Sequence, residues 1–146
     1  MGEGEQGYTI IEIVLVLILV GVLSSYVAPR MFDQASYQGL GFHNEVQASL
    51  RYAQKVALAQ RRFVCVTFSI NTLSLTMGST ASCGTPLKHP QDGSNYVVTG
   101  ATGIQFNLLP SNFYFTPQGE PSMGQSLQVV DSSRTITIEA NSGYVH

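Results

Sequence analysis

Hydrophobic positions follow three successive regimes along this chain. From Ile10 to Val27 they are almost continuous, and Glu12 is the only charge. Eighteen such residues at 1.5 Å rise give a helix of about 27 Å, the length of a single membrane span. Gly21 lowers helix propensity there by about 1 kcal/mol, and Pro29 is expected to kink the helix by removing a backbone donor. Gly39-Leu40-Gly41 is a second soft point, after which a helix is expected to resume near His43. There the spacing becomes 3.6 residues: Val46, Leu50, Ala53 and Ala57 form one stripe, flanked by Tyr52, Val56 and Leu58, with Glu45, Gln47, Arg51 and Lys55 opposite.

From Phe63 the period changes to two. Phe63–Phe68 and Leu73–Met77 read as a hairpin turning near Asn71, followed by a Gly-, Ser-, Thr- and Pro-rich loop from Gly78 to Asn95. Further strands are expected at Tyr96–Thr99, Ile104–Leu108, Phe113–Thr116, Ser126–Val130, Thr135–Ala140 and Tyr144–His146. Asn141-Ser142-Gly143 supplies the last turn. The pattern predicts an α+β fold: a long N-terminal helix, apolar and transmembrane in its first half and amphipathic in its second, packed on an antiparallel sheet domain. The expected division is 8–35 as the apolar helix and 36–146 as one globular domain, with 1–7 ahead of the helix.

Charge narrows the functional classes. Without Glu3 and Glu5 the chain carries seven acidic and seven basic residues, and from Ser36 onward five acidic against six basic. Nucleic-acid modules show a clustered basic face, and only Arg61-Arg62 hints at one. Two cations at a helix C-terminus are explained as well by the macrodipole.

Enzymatic chemistry finds no footing. His43, His89 and His146 are scattered, without metal-ligand spacing, and neither a nucleophile elbow nor a phosphate loop occurs. The chain reads as a non-enzyme needing no cofactor or metal. Cys65 and Cys83 make an even pair beyond the apolar span and outside any Cys-x-x-Cys motif, which favours a disulfide, with two buried thiols as the alternative.

Glu12 is the most informative residue. A carboxylate in an apolar span costs about 2.5–3.5 kcal/mol at mid-bilayer on insertion scales, so its presence calls for a partner. An ordinary secretory signal has a basic n-region, a shorter apolar run and a small-x-small cut site, none of which fits. A plain single-span anchor fits the length but leaves Glu12 without a use.

Gly7-Tyr8-Thr9-Ile10-Ile11-Glu12, followed by the apolar run, resembles the processing site of type IV prepilins and type II secretion pseudopilins, with Tyr8 in place of the usual Phe. The resemblance implies cleavage between Gly7 and Tyr8 by a prepilin peptidase that also methylates the new N-terminus. Glu12 would then pair with the Tyr8 amine of a neighbouring subunit during assembly. Gly21 and Pro29 resemble the points where pilin helices loosen. Phe115-Thr116-Pro117-Gln118-Gly119, Leu127-Gln128-Val129-Val130, Arg134 before Ile136-Thr137-Ile138, and Gly143-Tyr144-Val145 resemble the C-terminal half of H-type minor pseudopilins and FimT-type minor pilins.

Ala28-Pro29-Arg30-Met31-Phe32 is similar to minor pilins of the mannose-sensitive haemagglutinin pilus. The function this implies is that of a minor pilin joining or initiating a fibre. The alternative is an H-type pseudopilin of a secretion system. A DNA-binding uptake pilin would need a basic exposed tail, which Gly143-Tyr144-Val145-His146 lacks. The resemblance also implies the peptidase, other pilins and an inner-membrane assembly platform as partners, with membrane lipid before assembly. The implied location is a single pass through the bacterial inner membrane, with the C-terminal domain in the periplasm, and then the fibre.

Overall fold

The computed structural model describes residues 9–27 and 34–146. The chain divides into two compact units, Met1–Gln34 and Ala35–His146. Helix α1 (Ile10–Val27) belongs to the first and helix α2 (Gln34–Gln60) opens the second.

The helical part of the expected architecture needs correcting. Two helices stand where one long N-terminal helix was expected, and among the described residues no helix is long and apolar enough to cross a membrane. The expected transmembrane half and the single-pass inner-membrane placement, with its periplasmic domain, are therefore not supported. The physical reason lies in the interruptions. Glu12 occupies the first turn of α1 and Ser24-Ser25-Tyr26 its last, leaving Ile13–Leu23 as the unbroken apolar run. That run covers about 16 Å, roughly half of a hydrocarbon core. α2 is longer, at 27 residues, but carries His43, Glu45, Arg51 and Lys55 within it. The expected kink at Pro29 falls outside the described residues.

α2 also begins nine residues before His43 and runs unbroken through Gly39 and Gly41. Its buried stripe is Val46, Leu50, Ala53 and Ala57, with Phe42 and Val56 added; Leu58 is exposed. The helix ends at Gln60 with Arg61 left-handed (φ 51°) and the Arg62 N–H donating to Ala57 O at 3.2 Å. That is the Schellman arrangement.

Seven strands follow: β1 (Phe63–Ser69), β2 (Thr72–Gly78), β3 (Thr85–Pro86), β4 (Val97–Thr99), β5 (Phe113–Phe115), β6 (Gln125–Gln128) and β7 (Thr135–Ile138). β1 and β2 form a tight antiparallel hairpin in which Ser69 faces Thr72 across Ile70-Asn71. β5 joins the other edge of β1, while β3 and β4 share the outer edge of β2. β6 and β7 make a separate two-stranded sheet.

Alternation puts Val64, Val66 and Phe68 of β1, Leu73 and Leu75 of β2, and Ile136 and Ile138 of β7 into one core with the α2 stripe. Each buried aliphatic of this kind contributes about 1.5–3 kcal/mol.

Two expected strands are only bridges. Around Ile104–Leu108 the amides split their partners: Phe106 N–H donates to Ile70 O at 2.9 Å and Asn107 N–H to Gln128 O at 2.9 Å. The segment therefore ties the two sheets together and extends neither. The C-terminal residues pair with β7 through reciprocal Thr137–His146 bonds of 2.8 and 3.0 Å.

Candidate functional site

α1 starts where a side chain can satisfy its first free amides. Thr9 precedes the helix, its hydroxyl accepts from the Glu12 N–H at 3.3 Å, and its carbonyl accepts from Glu12 and Ile13 at 3.0 and 3.3 Å. Thr9 and Glu12 hold the N-cap and third positions of the Thr-x-x-Glu capping-box spacing. The carboxylate also lies at the positive end of the helix dipole, a placement favourable by about 0.3–1 kcal/mol. The expected pairing of Glu12 with a neighbouring subunit leaves out this cap, which the Thr-x-x-Glu spacing encodes within the helix itself.

Beyond the cap α1 is apolar on every side. Twelve large aliphatic side chains between Ile10 and Leu23 are exposed, from 48 % at Val14 to 84 % at Ile10. Glu12, Ile13, Val16 and Leu17 line a shallow groove along one side. A soluble surface helix shows one apolar stripe; a helix apolar all round is one whose surface is to be buried. Gly21 stands within the helix with open space where a Cβ would point. Gly7 and Tyr8, the expected processing site, lie outside the described residues.

Cys65 and Cys83 are bonded to each other, with Cα atoms 6.0 Å apart. Their bridge pins the loop after β2 to β1, with Cys83 held at φ 31°. Of the two readings left open by the sequence, the disulfide is the one present.

The three histidines do not meet. His89 stacks near Tyr96, with ring centroids 4.9 Å apart, and sits 3.7 Å from Asp92. His146 reaches Glu139 at 3.1 Å and stacks on Tyr144. His43 is buried, and burial followed by the Arg134 charge pushes its imidazole pKa down. Among the described residues no group of His, Cys, Asp and Glu could hold a metal ion.

Arg51 and Gln54 turn out to be structural. Arg51 Nε donates to Val145 O at 3.0 Å, and Gln54 Nε2 donates to Gly119 O at 3.0 Å and Ser142 O at 2.9 Å. These bonds fasten the Pro-x-Gly turn and the C-terminal turn to α2. Arg51 stands on the face expected to lie opposite the buried stripe, and its Nε nevertheless donates to the C-terminal backbone.

Comparison with protein-family models, curated proteins and solved structures finds no match to this chain.

Proposed function

We propose that this chain is a pilin-type assembly subunit, a minor type IV pilin resembling those of the mannose-sensitive haemagglutinin pilus, which joins its fibre through α1. The observation that carries the reading is α1 itself, an all-round apolar helix with exposed aliphatic side chains and one carboxylate in its first turn. Its unbroken apolar run is short against a bilayer, so other helices are its natural cover. In such a bundle Glu12 needs a cation. The nearest in kind is the amino group at Tyr8 of a neighbouring subunit, created when a prepilin peptidase cuts after Gly7. Breaking a buried pair of that sort costs about 3–5 kcal/mol, which makes the acid a determinant of joining.

The role is structural, and the Ala35–His146 unit is the body carried by the helix. Mass spectrometry of the mature N-terminus tests the reading. An N-methylated Tyr8 is expected, and replacing Gly7 by valine should leave the full-length precursor. A mature protein that retains Met1 through Gly7 would overturn it.

A further inference from the structure

His43 differs from the other two histidines in being buried with one ring nitrogen unpartnered. The residue is 3 % exposed, and Nδ1 is enclosed with no hydrogen bond. Burial of an unsatisfied polar atom is normally avoided, so its place in the packing needs an account.

One turn earlier, Gly39 lies against the Val129–Arg134 segment so closely that a Cβ would stand 2.9 Å from Val130 O and 3.2 Å from the Asp131 carbonyl carbon. Next to His43, Phe42 packs on Phe106 with ring centroids 5.3 Å apart. The segment turns at Asp131, left-handed at φ 59°, a conformation that Asp tolerates better than most residues, and the Ser132 N–H donates to Val129 O across the turn at 3.1 Å. Gly39 of α2 is fitted directly against this turn.

We propose that His43 is an acid-sensitive latch: with a neutral ring the first turns of α2 close onto the Val129–Arg134 segment, and with a protonated ring they release it. The charged groups on the two partners are Glu45, Arg51 and Lys55 of α2, and Asp131 and Arg134 of the segment, all exposed. Only Arg134 bears on the ring's ionisation, and its charge has the same sign as an imidazolium; burial acts more strongly in the same direction.

The sign of the effect follows. The unfolded chain takes up the proton at the ordinary value of about 6.5, while the closed state resists it to lower pH. The packing is thus fully stable above that value and loses stability as pH falls from there toward the lowered native value. The latch rests on the Ala35–His146 unit alone and stands or falls apart from the pilin reading.

The test is hydrogen exchange on the full chain in detergent micelles at pH 7.5 and 5.0, corrected for intrinsic rates, together with an NMR titration of the imidazoles. Amides of 36–44 and 129–134 should lose protection at pH 5.0 while β1 and β2 keep theirs. His43→Gln should abolish that difference, and Arg134→Gln should move the wild-type ring's midpoint upward. In the unsubstituted chain the His43 midpoint should lie below the ordinary imidazole value of about 6.5. A His43 midpoint at or above that value, or an acid response that survives in His43→Gln, would overturn the latch.

Discussion

The Glu12 backbone N–H donates to the Thr9 hydroxyl at 3.3 Å, which makes the single acid of the apolar segment also the third residue of a capped helix. The two roles differ in size. A cap contributes about 1 kcal/mol, and a carboxylate near the helix N-terminus up to about 1 kcal/mol more at an exposed site. An unpaired carboxylate enclosed among other helices costs several times that. For an isolated chain the cap is a sufficient account of Glu12. For a chain packed into a bundle it is not, and the pairing dominates.

The disulfide should contribute measurably to the Ala35–His146 unit. It spans 18 residues between β1 and the loop after β2, and closing a loop of that size is worth about 3 kcal/mol in the chain-entropy model. Thermal melts of the full chain in detergent with and without reductant should differ by several degrees. Thiol titration of never-reduced protein should find no reactive sulfhydryl, and finding two would contradict the bridge.

The two glycines early in α2 should respond oppositely to alanine. At Gly39 the new Cβ would lie 2.9 Å from Val130 O, whereas at Gly41 nothing lies within 4 Å. Gly39→Ala should destabilise by about 1–3 kcal/mol through overpacking. Gly41→Ala should stabilise by up to about 1 kcal/mol through helix propensity. Denaturant midpoints of the two variants check this, and equal shifts of the same sign would contradict the packing described for Gly39.

These glycines also show how far the sequence could be read. Gly39-Leu40-Gly41 looked like a break because propensity was the only information available. Tertiary contact decides Gly39, where the absence of a side chain lets α2 touch the Val130 carbonyl. The buried stripe Val46, Leu50, Ala53 and Ala57 and the hairpin across Ile70-Asn71 were legible, because periodicity reports burial directly. Ile104–Leu108 was misread as a strand, since alternating burial does not say whether one partner strand or two separate segments take the amides. The membrane span was overread for a related reason. Counting Ile10–Val27 as one apolar block ignored that Glu12 at one end and Ser24-Ser25-Tyr26 at the other shorten its unbroken part. At the site, Glu12 is legible by its charge, and its cap to Thr9 by the Thr-x-x-Glu spacing. His43 could be singled out only by type, because nothing in its spacing foretold a buried ring nitrogen without a partner.

Incorporation into purified fibres tests the central claim most directly, with Glu12→Ala, Glu12→Gln and Thr9→Ala compared against the unaltered chain at equal expression. Thr9→Ala removes the capping hydroxyl and keeps the carboxylate, so it should enter fibres almost normally. Glu12→Gln keeps the shape of the capping residue and loses the charge, so it should be nearly as excluded as Glu12→Ala, while both are still cut after Gly7. Fibres containing Glu12→Ala at the level of the unaltered chain, or a Thr9→Ala defect as deep as that of Glu12→Gln, would contradict the account, because the acid would then serve the helix cap and not the contact between subunits.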